Sequence, residues 1–511
     1  MTLENRISNI RDIVRDACNS WVKPVGSERL EFVDPNDGEE ISAHYGASHF
    51  AVSLIINGRM NSDLDSYDKG VLLLRSVLDG WENNTLLKDF HFDFNNFALC
   101  LAEEYLKTDE NDIRSNIRKI VIQTIDSKHY TVNWLPMRMY VNQKRGLWSG
   151  SEKFNKNVLY CKELIKSATN SDGGIEDCLP KGRSFNLQYN VATVALLQFI
   201  NCRGGEFDIS RELGFLLDKV LPDGDINYHG RGANQIFGWG LWIYLLSSSG
   251  RLDELTQALD FLTEKIEITV RNQNLMLNDW HGEEKYLWWD YHYCSVYNAH
   301  LVFWLSLALQ DYCKKPVKPI YPKKSSTGVL VTSNRNYFSV SFEGRSDYLA
   351  EKGPMLSALW VKGYGTVFKS TMGPWLGLFG NRYLEESVLR NYIGLLSVKP
   401  NFSFQNNRVF RRLSRFFVDR QSIKFTPLFN NFRTSIDKDK IVFTYINSGN
   451  QKAMFNLPVI QGPGECPEFS LILDGRPSKL RLDIKYRNQY GWCNLYKSEV
   501  STAREWVLVV K

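Results

Sequence analysis

The sequence predicts an α+β multidomain chain, a block of packed helical hairpins followed by an antiparallel β-sandwich. Three observations carry this. Up to about residue 313, apolar residues recur at helical spacing in long blocks. From residue 329 on, short alternating runs of β-branched and aromatic residues take over. Between the two lies Lys314-Lys-Pro-Val-Lys-Pro-Ile-Tyr-Pro-Lys-Lys-Ser-Ser-Thr-Gly328, with the composition of a stiff, solvated connector. The reading is therefore a helical domain over 1–313, a linker over 314–328 and a β domain over 329–511.

In the first part the charged, amphipathic N-terminus reads as a helix. Further helical blocks are Phe50–Ile56, Gly70–Leu78, Phe94–Leu106, Leu187–Ile200, Gln235–Leu246, Leu255–Ile266 and Val296–Leu309. Asn170–Gly174 and Pro222–Gly224 punctuate them as turns. Several blocks are apolar on more than one face, which fits an array of hairpins better than a thin bundle. In the second part the strand runs are Gly328–Thr332, Tyr337–Phe342, Ser422–Pro427, Ile441–Ile446, Phe469–Leu473, Leu480–Tyr486 and Glu505–Val510. Turns at Asp474-Gly475 and Asn447–Asn450 separate some of them.

Composition narrows the function classes. The 62 Lys and Arg against 57 Asp and Glu leave a net charge of +5, too mild for a dedicated nucleic-acid binder but compatible with an acidic ligand in a local basic cleft. The nine Cys form no CxxC pair, so free thiols in a reducing compartment are expected. The N-terminus has no apolar core of a secretory signal, and no run is long enough to span a membrane. The expectation is a cytoplasmic protein, or a periplasmic one if a signal was removed, with no cofactor and no metal. His44 and His49 flank Tyr45-Gly46 with no evident third ligand.

Polar and aromatic residues gather at four places: Tyr130–Arg138, Asp172–Tyr189, Asp223–Gln235 and Trp288–Tyr293. In the second and third, an Asp-Gly loop leads into an apolar helix, whose free N–H groups favour anions. Helical hairpins ahead of a β-sandwich are the build of toroidal polysaccharide-processing enzymes. The chain resembles the heparinase II/III-like and alginate-lyase-like polysaccharide lyases, which pair an (α/α) toroid with a β-sandwich. In them an Asn precedes a catalytic Tyr, which follows an Asp-Gly-Ser/Gly turn with a nearby Glu. Here Asn133 precedes Tyr189, and Asp172-Gly-Gly-Ile-Glu176 lies between them. One departure is plain. Such lyases often place a catalytic or metal-binding His in the β domain, whereas the last of the eight His here is His300.

The resemblance implies β-elimination beside a uronic acid. An amide or a guanidinium fork neutralises the carboxylate, a base removes the C5 proton, and an acid protonates the leaving O4. Asn133 is cast as neutraliser, Tyr189 as acid/base, and His229 as base or carboxylate partner. Arg231, flanked by Gly230 and Gly232, is cast as a uronate ligand, since glycine permits close backbone approach. Trp134, Arg138, Asn234, Tyr291 and His292 are the further substrate contacts. Each has a plainer reading: Asn133 as a helix cap, Tyr189 as a core aromatic, the Trp288–Tyr293 run as packing. The basic run Arg408–Arg420 reads as an exposed face, or as a platform for a polyanion. Two alternatives stand beside the lyase. One is a glycoside hydrolase using Glu176 or Asp177 with Asp225 or Asp290. The other is a non-catalytic glycan-binding or assembly protein.

Overall fold

The computed structural model describes residues 1–26, 28–35, 44–82, 91–124, 126, 131–179, 185–230, 234–271, 294–343, 355–369, 379–380, 429–437, 439–447, 454–460, 466–488 and 491–511. Its helices are α1 (Leu3–Ser20), α2 (Gly46–Asn61), α3 (Leu64–Glu82), α4 (Phe92–Tyr105), α5 (Asn111–Gln123), α6 (Leu135–Ser149), α7 (Glu152–Ala168), α8 (Leu187–Cys202), α9 (Ser210–Leu217), α10 (Ile236–Ser248), α11 (Leu252–Arg271) and α12 (Cys294–Gln310). A single 3₁₀ turn, Val132–Trp134, leads into α6. A hairpin of β1 (Val22–Val25) and β2 (Arg29–Phe32) follows α1.

The helices sort into two kinds by their apolar pattern. α1 buries Ile7, Ile10, Val14 and Cys18, and α5 buries Ile113, Ile117, Ile120 and Val121, each a single stripe at helical period. α8, α10 and α12 are instead buried on nearly every face, and Trp239, Trp242 and Trp304 are fully enclosed. A helix apolar all round needs neighbours all round. It finds them here: α2 packs on α4, α4 on α6, α6 on α8, α8 on α10, α10 on α12, and α12 returns to α2. Outside this closed ring, α3, α5, α7, α9, α11 and α1 cover it one by one. The helical part is therefore an (α/α) toroid. Each fully buried Leu, Ile or Phe of the inner ring contributes roughly 1.5–3 kcal/mol.

The linker differs from the solvated connector expected of it. Its lysine side chains are exposed, but its backbone is strapped to the toroid wall. Lys315 and Val317 donate their N–H groups to the carbonyls of Ser248 and Ser249, and Ile320 donates to that of Ser210 at 2.8 Å. Proline brings no donor that would need a partner, and the N–H groups of Lys315, Val317 and Ile320 find theirs on the wall.

Beyond it come β3 (Val329–Ser333), β4 (Tyr337–Phe342), β5 (Met355–Val361), β6 (Gly365–Lys369), β7 (Phe379–Gly380), β8 (Phe429–Asp437), β9 (Lys440–Asn447) and β10 (Met454–Ile460). They are followed by β11 (Phe469–Leu473), β12 (Arg476–Ser478), β13 (Arg481–Asn488), β14 (Gly491–Lys497) and β15 (Glu505–Val510). All pairings are antiparallel, in sheets ordered β3-β4-β5-β6, β12-β11-β15-β9-β8 and β13-β14-β10-β7. The first sheet is a middle layer. Val329, Val340, Phe342 and Ala358 join the helical core, while Tyr337, Leu356, Val361 and Val367 join the core of the other sheets. Bulges in β4–β5 and β5–β6 shift which residues face each side. The expected strand Ser422–Pro427 and the basic run Arg408–Arg420 lie outside the described residues.

Candidate functional site

Consecutive inner helices are each separated by one outer helix, so they run parallel and gather their N-termini at one end of the ring. Each brings partial positive charge there from its first turn. The side chains at this end form an aromatic and imidazole floor. Tyr45 stacks on Phe94 at 4.3 Å between ring centroids, and Phe94 meets Trp134 edge-on at 5.7 Å. His300 sits 5.5 Å from Tyr45, 5.2 Å from His49 and 5.8 Å from Phe237, which in turn lies 5.2 Å from Tyr297. His44 stacks on His91 at 4.1 Å. The floor thus joins α2, α4, α10, α12 and the turn before α6. Burial lowers the pKa of His49 to about 3 and that of His300 well below its ordinary value, so both rings are neutral near pH 7.

Asn133 and Tyr189 belong to neighbouring parts of this end. The 3₁₀ turn carrying Asn133 packs against α8. Asn133 is buried, and its amide oxygen accepts a hydrogen bond from the Thr131 hydroxyl. Tyr189 is the one position of α8 that keeps partial exposure. Its N–H is capped by the Asn186 side chain at 3.2 Å, so the first turn that presents it is fixed. Asn190 accepts the Ile175 N–H at 2.7 Å and donates to the Ile175 carbonyl. Val132 donates its N–H to the Asp177 carbonyl at 2.9 Å. The loop carrying Glu176 and Asp177, both buried, is thereby tied to α8 on one side and to the Asn133 turn on the other. Trp134 joins the aromatic floor through Phe94.

Two expectations are corrected. Arg138 does not present its fork to a ligand. Nε and Nη2 bond the two carboxylate oxygens of Asp93 at 2.8 and 3.0 Å, with both residues buried. A planar guanidinium facing a carboxylate in low dielectric is held there by both charge and geometry. His229 is a poor base. Its ring packs against both Phe185 and Phe342, at 5.7 and 5.3 Å, and neither ring nitrogen has a hydrogen-bond partner. Burial lowers its pKa to about 3, far from a working value for proton removal near neutrality. Its contribution to this end is its carbonyl, which accepts the Leu187 N–H at the start of α8. Asn234 is buried with φ +61°, and its N–H bonds the Asn227 carbonyl at 2.7 Å, shaping the approach to α10. Arg231, Tyr291, His292 and Asp290 lie outside the described residues.

The Asp-Gly loops act as clasps, the first to the end of the linker and the second to the β part. Asp172 accepts the N–H groups of Ser326 and Thr327 and the Thr327 hydroxyl at 2.8–2.9 Å. Burial would raise its pKa, but these donors outweigh it and the net shift is downward. Gly173 holds φ +93°, with the Arg211 carbonyl 2.4 Å from where a Cβ would stand, a place for glycine alone. In the second loop Asp223 accepts the Thr366 hydroxyl, and Asp225 pairs with Lys369 at 2.5 Å. Asp225 is thus engaged by a cation rather than open to act as a hydrolytic carboxylate. Of the floor residues, Phe94, Phe237, Tyr297 and His300 escape a motif search, and Tyr45 and His49 enter it only as part of a possible metal pair. Their only signal is a polar or aromatic side chain near the start of an otherwise apolar helix. Among the described residues no group of three or more His, Cys, Asp or Glu is placed to hold a metal, and no helix is long and apolar enough to cross a membrane.

No family model and no curated protein matches the chain. Solved structures similar to it include an inactive variant of the alpha-1,6-mannanase GH76A of Salegentibacter sp. HEL1_6, at 10% identity and TM-score 0.43, covering 60% of this chain and 99% of that one. Another is a mutant unsaturated glucuronyl hydrolase from Streptococcus agalactiae, at 11% identity and TM-score 0.42, covering 62% and 93%. A third is a polysaccharide lyase, at 10% identity and TM-score 0.38, covering 60% and 96%. At these values the likeness has no bearing on activity, and the toroid rests on the chain's own helix contacts.

Proposed function

We propose that this chain is a glycan-processing enzyme that cleaves an acidic, uronate-containing polysaccharide by β-elimination at the end of the helical ring where the inner helices begin. The observation that carries the reading is Tyr189, half-buried on a helix otherwise wholly buried, beside the turn that holds Asn133. In this reading the Asn133 amide nitrogen bonds the uronate carboxylate and stabilises charge that develops as the C5 proton leaves. Tyr189 exchanges the protons: the C5–H bond electrons form the C4–C5 double bond, and the C4–O4 bond breaks with O4 taking a proton. Trp134 and the aromatic floor stack on sugar rings. Arg231, Asn234, Tyr291 and His292 remain the proposed substrate contacts. The ligand is a glycan rather than nucleic acid.

A hydrolase is the second reading, favoured by one observation. Glu176 and Asp177 are adjacent, buried carboxylates on the loop tied to both α8 and the Asn133 turn. Product chemistry separates the two. Incubation with a panel of acidic polysaccharides is expected to give ultraviolet absorbance from a 4,5-unsaturated uronate, lost in Tyr189→Phe. New reducing ends without absorbance would replace the lyase with the hydrolase. Neither product, with glycan binding retained, would leave a non-catalytic binding protein.

A further inference from the structure

We infer that Thr131 is a positioning residue for the proposed elimination: its hydroxyl sets the Asn133 amide so that the nitrogen, and not the oxygen, meets the uronate carboxylate. This rests on the reading of Asn133 as the group that neutralises that carboxylate. An asparagine amide carries an acceptor on one side and two donors on the other, exchanged by a half-turn about χ2. That torsion is broad and roughly two-fold, so a free amide visits both settings. One of them helps the reaction. With the nitrogen toward the substrate, the amide donates to the carboxylate and stabilises the charge that grows as the C5 proton leaves. With the oxygen there, an acceptor faces an anion and opposes it.

The backbone that carries Asn133 is held from several sides. Asn133 is the middle residue of the 3₁₀ turn Val132–Trp134. The Val132 N–H donates to the Asp177 carbonyl at 2.9 Å, and the Trp134 N–H donates to the Thr131 carbonyl at 3.0 Å. The Leu135 N–H closes the turn on the Val132 carbonyl. The turn packs on α6, α7 and α8. Rotation of the side chain is the freedom that remains, and the Thr131 hydroxyl takes it up by donating to Asn133 Oδ1. The hydroxyl is not used in the usual way for its place. Thr131 stands at the N-cap of the turn in extended backbone, where a threonine commonly caps a backbone N–H, yet it makes no such capping bond. Asn133 is 7% exposed, so its shielded amide needs partners. The oxygen has Thr131, whereas the nitrogen has no partner among the described residues. The donor side of the amide is thus the side left for a ligand.

The test is the initial rate of ultraviolet absorbance given by the full chain on sodium polygalacturonate, sodium alginate and hyaluronan, with the melting temperature of each variant beside it. Thr131→Val keeps the shape and removes the donor. It is expected to lower kcat/KM by about 10-fold, with most of the fall in kcat, because the charge that the amide meets grows in the transition state. Thr131→Ser keeps the hydroxyl and is expected to stay within about 2-fold of the wild-type chain at the same melting temperature. Should Thr131→Val melt early, Thr131→Ser and Thr131→Ala, which differ by the hydroxyl alone, are expected to show the same gap in kcat. Equal kcat with and without the hydroxyl, or a change confined to KM, on a polymer that the wild-type chain converts to unsaturated product, overturns the positioning role and leaves the elimination reading in place. No unsaturated product from the wild-type chain on any of the three polymers overturns both.

Discussion

Arg138 and His229 show how burial reassigns a side chain. Arg138 neutralises Asp93, whose pKa burial raises while the guanidinium opposes the rise. Removing the cation leaves a buried carboxylate, at a cost of about 3 kcal/mol after Asp93 takes up a proton. Urea unfolding of Arg138→Met should show that loss, and the Michaelis constant on whichever substrate is found should be nearly unchanged. A large rise in the Michaelis constant at wild-type stability would return Arg138 to the ligand. For His229 the sign follows from its folded pKa of about 3 against an ordinary 6.5. The unfolded chain takes up the proton first. The contribution of the neutral ring is full above 6.5 and is lost as pH falls toward 3. His49 and His300 behave alike, since burial lowers both. His229→Phe, packed against two Phe rings, should make the fall of melting temperature across that window shallower than in the wild-type chain. An unaltered slope would mean that His229 is not held neutral.

At the scale of elements, the loops before the inner helices do two jobs. The first Asp-Gly loop holds the end of the linker and the second holds β6, and each leads on to an inner helix. Asp172 concentrates four donors on one carboxylate, counting the Gly174 N–H at 3.1 Å. Asp172→Ala leaves the backbone N–H groups of Ser326 and Thr327 without that acceptor and should cost about 2–3 kcal/mol in chemical denaturation. Asp172→Asn should recover part of it, because an amide oxygen still accepts. If both variants match the wild-type chain, the clasp contributes nothing. Gly173→Ala should be at least as damaging as Asp172→Ala, since the new methyl meets the Arg211 carbonyl and the φ of +93° disfavours any side chain.

Across the whole molecule, the β part and the toroid are joined by a common core. Val329, Val340, Phe342 and Ala358 pack with the helices, Phe185 stacks on Phe342 at 5.8 Å, and the Lys369–Asp225 pair is buried. A shared core couples the two parts' unfolding. Scanning calorimetry should therefore show one transition carrying both helix and sheet signals, and a chain cut after Gly328 should bind a hydrophobic dye that the full chain excludes. Two well-separated transitions, or a compact and dye-silent truncated toroid, would show the parts to be independent.

Periodicity alone was enough to read the two halves. The blocks at Leu187–Ile200 and Val296–Leu309 are helices, and Tyr337–Phe342, Ile441–Ile446 and Glu505–Val510 lie in strands, because a face that must be buried writes its period into the chain. The resemblance to the lyases pointed to Asn133 and Tyr189, which the ring brings to adjoining elements. The partner of a polar side chain is different, because it comes from far along the chain and leaves no local mark. Arg138 meets Asp93 one inner helix away, Asp172 meets Thr327, and Asp225 meets Lys369. The same holds for the floor. Tyr45, Phe94, Phe237 and His300 become neighbours only when six parallel helices close a ring. Local sequence determined which segments are helix, strand and turn. Ring closure and the docking of the first sheet decided which polar groups are paired, which are neutral and which gather where the inner helices begin.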